Sequence, residues 1–305
     1  MATAPIEPPQ RLVSALGGDP GGPAGAWLDA LPRLVGERLD AWELTLERVL
    51  VPGGRGSLLA YVRQADGTPA ALKFPAPGRA PAREGAALAQ WDGWGATRLL
   101  RADADSGALL LERLRGTVSL RSLPEAKAVL EAAGTVRRLW VRPAEGHPFE
   151  TLAGRTEEAV ASLRALGATT RAEGPLLDEA LELRRALPAD APEEVLLHGA
   201  FRQGKVLAGE RAPWLAVGPS PVVGERAYDL AGLVLDRSED LAAGSGAASA
   251  ARRRVAKLAD SLDADRDRLR SWTLYRAVDA GVRELTTPGG DAQRGEVLLE
   301  FATWL

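Results

Sequence analysis

The 305-residue chain is 46% apolar and 26% charged with a formal net charge of −3, the composition of a folded globular protein and not of a disordered one. It has no Cys and only two His, which excludes disulfide scaffolds, Cys-ligated zinc, thiol nucleophiles and three-His metal centres. The mild acidity provides no field for nucleic acid, no run of about 18 apolar residues predicts a membrane span, and MATAPIEPPQ lacks a signal-peptide pattern, so a cytoplasmic protein is expected.

Residues 1–24, rich in Pro and Gly, predict an arm or loose cap. Trp27, Leu28, Leu31, Leu34, Val35, Leu39 and Trp42 recur at helical spacing over 26–42, with Pro32 marking a break or a fresh start. Two apolar runs flank Pro52-Gly53-Gly54-Arg55-Gly56 and a second pair flanks Asp66-Gly67, the pattern of antiparallel hairpins. A short helix at 81–92 and a buried strand at 107–112 follow. Ser122-Leu123-Pro124-Glu125 reads as a capping box opening a helix that runs to Trp140. Further helices are predicted at 151–167, 175–187, 227–236, 249–260, 264–284 and 291–305. Two apolar runs, Val195–Leu197 and Trp214–Val217, enclose a loop, and 238–246 contains polar surface loops. The outline is a β-rich half, a connector near 112–116 and a larger helical half.

Of the 38 basic residues, 34 are Arg and four are Lys: Lys73, Lys127, Lys205 and Lys257. This reads as the codon bias of a GC-rich genome, and it makes each Lys and His a marked choice. Lys205 and His198 fall together in the stretch EVLLHGAFRQGKVLAGERAPWLAVGPSPVVGERAYDLAGLV, residues 194–234.

That stretch resembles the aminoglycoside phosphotransferase-type kinases, above all the streptomycin 6-kinase and hydroxyurea phosphotransferase branch. There the same region reads LLHGDLHHGNVL and then WLAIDPKPVVGDPAYDLA. The likeness extends to AWLDALPRLVGERLDAWELTLERV, AALKF, REGAALAQWDGWGA and GALLLERLRG, and so covers nearly the whole chain. It implies an α+β, bilobed, protein-kinase-like fold. The small antiparallel N-lobe with its arm and helix would be residues 1–112. The mostly helical C-lobe, residues 113–305, would hold the loop at 198–205 and the metal-loop equivalent at 217–220.

In such a fold, phosphoryl transfer depends on positioning and charge neutralisation. The resemblance places Lys73 at the strand Lys that holds the nucleotide phosphates and Glu84, eleven residues on, at the helix Glu that fixes it. A solvent-facing Lys and an ordinary first-turn Glu are the plain alternatives. Gly53, Gly54 and Gly56 form either a phosphate-facing loop or a simple hairpin turn. Glu112, beside the connector, completes the nucleotide-side set.

The chemical positions differ from the family. Ala200 stands where the family has its proton-accepting Asp, Lys205 where it has a metal-binding Asn, and Gly218 where it has a metal-binding Asp. A methyl group accepts no proton, and an ammonium has no lone pair for a metal. Loss of a general base alone costs about 10²–10⁴ in rate. The expectation is a pseudokinase with no intact catalytic residue and no metal site, holding ATP, another nucleotide, a small anion or a protein partner, with Mg²⁺ not expected. The alternative is a weak or rerouted phosphotransferase acting on a hydroxyl of an aminoglycoside or similar molecule. Two readings of Lys205 follow: it meets an anion directly, or it pairs with Glu84 or another acid and closes the cleft. His198 and Asp229 read as scaffold, His147 as incidental, and Trp272 and Tyr275 as core. Asp236, Glu239, Asp240, Asp263, Asp265 and Asp267 are candidates for a cationic substrate by location alone, against a solvated acidic face as the plainer reading.

Overall fold

The computed structural model describes residues 6–17, 21–167, 174–242, 244–287 and 289–305. Period-2 burial organises the first half. Strands β1 (Thr45–Val49), β2 (Ser57–Arg63), β3 (Pro69–Pro75), β4 (Leu99–Ala102) and β5 (Leu109–Glu112) form one antiparallel sheet in the order β1-β2-β3-β5-β4. Leu58, Ala60 and Val62 of β2 and Ala70, Leu72 and Phe74 of β3 are fully buried. They pack with Leu31, Val35 and Leu39 of α2 (Pro23–Ala41) and Leu12 of α1 (Gln10–Leu16). Because side chains alternate along a strand, Ala71 and Lys73 point to the other face, where α3 (Pro81–Trp91) lies.

The first forty residues depart from expectation twice. The arm contains a helix, α1, because Leu12 supplies an apolar anchor that the core accepts at 0% exposure. Pro32 sits inside α2 without ending it. A proline removes one hydrogen bond, and burial of Leu31, Val35 and Leu39 along one stripe holds the helix through that defect.

The second half is mainly helical: α4 (Glu125–Val136), α5 (Leu152–Gly167), α6 (Pro175–Ala189), α7 (Ala227–Val234), α8 (Ser238–Ala242), α9 (Ala247–Leu262), α10 (Arg266–Thr286) and α11 (Ala292–Thr303). Two small antiparallel sheets join them, β7 (Val195–Leu197) with β10 (Val222–Gly224), and β6 (Arg115–Ser119), β8 (Val206–Ala208) and β9 (Trp214–Ala216) in the order β6-β8-β9. The expected capping box does not form. Ser122 lies in a 3-10 turn and donates to the Ser119 carbonyl, and Pro124 takes the N-cap position of α4. That helix ends at Val136, short of Trp140. The stretch expected as a polar loop begins with α8, whose Ser238 is fully buried.

Helix α10 is the hub of this half, packing against α5, α6, α7, α9 and α11. Trp272 is fully buried and meets Tyr228 and Tyr275 edge-on at centroid distances of 5.1 and 5.8 Å, so both aromatics of the helix are core. The Trp272 indole N–H donates to Glu225 at 2.6 Å, and Arg268 holds both oxygens of the same carboxylate at 2.6 and 2.7 Å. A charge this buried is tolerated only because every oxygen is engaged. Replacing Glu225 by Ala leaves an arginine and an indole N–H unpaired and is expected to cost about 3 kcal/mol or more, read as a shift in the denaturant midpoint. Trp272→Phe, which keeps the packing, should cost less.

Candidate functional site

The loop at 198–205 is positioned by backbone hydrogen bonds to buried carboxylates. Asp229, in the first turn of α7 and fully buried, accepts the N–H groups of His198 and Gly199, each at 2.8 Å. Burial pushes its pKa up, and the N–H donors and the charge of Arg276 oppose that. Seven residues on, Asp236 is also buried and accepts the Gln203 N–H at 2.5 Å. One acceptor in the first turn of α7 and one just past its end thus hold the same loop.

His198 lies at 0% exposure between Trp91 and Phe201. Its Nε2–H donates to the Val217 carbonyl at 3.2 Å and its Nδ1 accepts the Ala200 N–H at 3.3 Å. Burial and the nearby Lys205 charge hold the ring well below its ordinary pKa, so it is a neutral strut joining the two loops. Gly199 has a φ of +72°, and a Cβ there would stand 1.9 Å from the Ser220 carbonyl oxygen, so only glycine fits. Arg155 secures that far side, donating to the Ser220 and Pro221 carbonyls at 2.8 and 2.9 Å while paired with Glu150.

Opposite this loop, Lys73 Nζ meets both oxygens of Glu84 at 2.5 and 2.6 Å. Both side chains are largely buried, at 12% and 8% exposure, so Lys73 is not solvent-facing, and Glu84, which does lie in the first turn of α3, is paired as well. Lys205 Nζ donates to the Gly218 carbonyl at 2.8 Å. The pairing of Lys205 with Glu84 does not occur, since that carboxylate is taken by Lys73, and no other described carboxylate forms an ion pair with Lys205. Burial, followed by the charges of Arg202 and Lys73, lowers the Lys205 pKa to about 7, while Glu84 pulls it up and Arg79 pushes it down. Gly218 has a φ of +61°, and a Cβ there would come no nearer than 4.0 Å to Lys205 Nζ.

The structure therefore gathers Lys73, Glu84, His198, Lys205 and Gly218, with Ala200 joined through His198 and Asp229 behind the loop. Gly53, Gly54 and Gly56 lie in the β1–β2 turn, where Gly56 backs onto the Arg79 guanidinium and Gly53 onto Pro9. Glu112 is bound elsewhere. Its carboxylate pairs with Arg211 at 3.0 Å and accepts the Arg98 N–H, and its carbonyl accepts from Thr97.

Three of the six acidic candidates are committed to structural contacts. Asp236 serves the loop, Glu239 pairs with Arg294 at 3.1 Å, and Asp265 caps α10. Among the described residues no three His, Cys, Asp or Glu side chains are grouped to hold a metal ion. His147 stacks on Phe149 at 5.3 Å, remote from these contacts. The roles of Asp236 and Arg155 were missed in the sequence. The seven-residue spacing from Asp229 was the available signal for the first, and nothing local marked the second.

The sequence model of the aminoglycoside/hydroxyurea antibiotic resistance kinases matches residues 41–287. The chain is 34% identical to a streptomycin 6-kinase of Streptomyces glaucescens over 275 residues, 89% of this chain and 88% of that protein. It is 36% identical to a hydroxyurea phosphotransferase of Kitasatospora aureofaciens over 296 residues, 92% and 82% of the two chains. Its fold matches the aminoglycoside phosphotransferase APH(4)-Ia crystallised with ADP and hygromycin B, with a TM-score of 0.57 at 17% identity, covering 88% of this chain and 97% of that one. The architecture is thus the kinase-like one, an antiparallel sheet beside a helix-rich lobe, and the chain belongs to the aminoglycoside/hydroxyurea antibiotic resistance kinase family.

Proposed function

We propose that this protein is a degenerate member of its kinase family, a pseudokinase that holds a nucleotide or another anion between an N-lobe at 1–112 and a C-lobe at 113–305 without metal-dependent phosphoryl transfer. The observation that carries this reading is Lys205. Its ammonium donates to Gly218, so a cation of the chain itself bridges the two positions at which the family's pattern has metal ligands.

The donor set does not suit Mg²⁺. Hard divalent cations take oxygen ligands, carboxylates above all, and Ala200, Lys205 and Gly218 offer none from their side chains. Glu225 cannot replace the missing base because Arg268 and Trp272 occupy it, and Glu210 is exposed on a turn. The nucleotide-side parts, by contrast, fit an anion. Lys73 is oriented by Glu84, and Lys205 adds a second ammonium beside it. A structural relative binds ADP, which supports a nucleotide as the occupant. Two cations facing phosphate would supply the neutralisation that a metal supplies elsewhere.

Calorimetric titration with ATP is expected to give binding that needs no Mg²⁺. Since Lys205 titrates near pH 7, its charged form, which attracts the anion, is lost as pH rises. Binding should therefore weaken from pH 6 to pH 9, and Lys205→Met should flatten that profile. Strictly Mg²⁺-dependent binding, or phosphorylation of streptomycin by the unmodified protein, would overturn the proposal and favour the weak or rerouted phosphotransferase.

Restoring the missing groups gives a second test. Ala200→Asp, Lys205→Asn and Gly218→Asp together should generate measurable ATP turnover with Mg²⁺. Gly218→Asp alone should instead form an ion pair with Lys205, which is 4.0 Å from the new Cβ. It should raise the Lys205 pKa above 7, observable by NMR, and give no turnover.

A further inference from the structure

Next to the Lys73–Lys205 cleft lies a cavity of about 540 Å³ whose wall includes neither of those lysines, within the size range of small-molecule sites. Its wall comes from four parts of the chain: Arg11 on α1, Arg55 in the β1–β2 turn, Arg202 in the 198–205 loop, and Glu284, Asp291 and Arg294 around the junction of α10 and α11. Four guanidinium groups thus face two carboxylates.

Those carboxylates are already engaged. Glu284 pairs with Arg55 at 3.0 Å, approaches Arg294 at 3.9 Å and accepts the Asp291 N–H. Asp291 caps α11 through the Arg294 N–H. Arg294 also pairs with Glu239. Arg11 and Arg202 have no carboxylate partner among the described residues. Arg202 and Arg11 are exposed at the cavity wall, and partial loss of hydration together with the charges of Arg294, Arg121 and Arg11 pushes the Arg202 pKa down, with Asp236 pulling it up. Like charges brought together without a counterion repel one another. A planar guanidinium with unused donors fits phosphate or carboxylate oxygens two at a time.

We propose that this cavity binds a small molecule carrying two or more negative charges, held between Arg11 and Arg202. Its charge is opposite to what a cationic aminoglycoside requires. The proposal rests on the cavity and its arginines and stands whether or not the Lys73–Lys205 cleft holds a nucleotide.

The test uses the full chain and two probes, inorganic pyrophosphate and citrate, with acetate as the singly charged control and streptomycin as the cationic one. At least one probe should bind at low salt and lose affinity as ionic strength rises. Each charge-assisted contact removed, by Arg202→Gln or Arg11→Gln, should weaken it about tenfold or more. Lys205→Met, which removes a charge outside the cavity wall but within the field of Arg202, should weaken binding less than Arg202→Gln does. Without any probe, Arg202→Gln should change the melting temperature little, because relief of the repulsion from Arg294, Arg121 and Arg11 is offset by the lost attraction to Asp236 and no side-chain hydrogen bond is removed.

Binding of pyrophosphate alone would assign a phosphate ligand, and binding of both probes a polyanion of either type. The proposal is overturned if neither probe binds, if both Arg variants bind as the parent does, if Lys205→Met abolishes binding as fully as Arg202→Gln, or if streptomycin binds in preference.

Discussion

The grip of Asp229 on the loop at 198–205 is the constraint from which the site follows. One buried carboxylate accepts two backbone N–H groups, and this fixes where the chain leaves β7. His198 is thereby set between Trp91 and Phe201 and ties the loop to Val217. That link fixes Gly218, and Gly218 receives Lys205. A carboxylate without water is stable only when its lone pairs are filled, so the arrangement has little freedom to relax. The same rigidity holds the loop's shape around Ala200, Lys205 and Gly218.

Charge in the cleft is distributed on similar terms. Lys73 and Glu84 neutralise each other at short range. Lys205 has a carbonyl dipole but no ion-pair partner among the described residues, and its lowered pKa reflects burial and the neighbouring Arg202 and Lys73 charges. In the helical half, Asp229, Asp236, Glu225, Glu239 and Glu284 are bound to backbone N–H groups or to arginines. The positive character of the loop region therefore arises as much from the engagement of Asp236, Glu239 and Glu284 as from the added Lys205 and Arg202.

Much of this was legible in the residue pattern. The eleven-residue step from a strand Lys to a helix Glu, and the retained Tyr228-Asp229-Leu230, identified groups whose contacts are local or fixed by strand alternation. Apart from the short α8, the helices from 151 onward were equally plain from their apolar spacing. What could not be read depended on tertiary choice. Nothing local says that Leu12 docks on the sheet or that α2 survives Pro32, because both follow from apolar surface supplied by distant strands. Asp236 looked like a surface acid because its partner, the Gln203 N–H, comes from a segment 33 residues earlier. Glu112 lay at the expected place, yet Arg211 from the β8–β9 turn claims it. Long-range ion pairs among 34 arginines have too many sequence solutions to be assigned in advance.

The Arg55–Glu284 pair joins the hairpin turn of the sheet to the end of α10, groups 229 residues apart in the chain. Both partners are partly exposed, at 32% and 21%, and such a pair contributes under about 1 kcal/mol. Together with the approach of Ser14 to Gly289, it is a light fastening between the two halves of the molecule. Opening this edge requires breaking one weak electrostatic contact and easing one backbone contact, while the far side, where Trp91, Thr97 and Glu112 bond to Leu139, Ala216 and Arg211 and the two halves share a core, stays closed. Dissolved salt, by screening the Arg55–Glu284 contact, would set how often that edge opens.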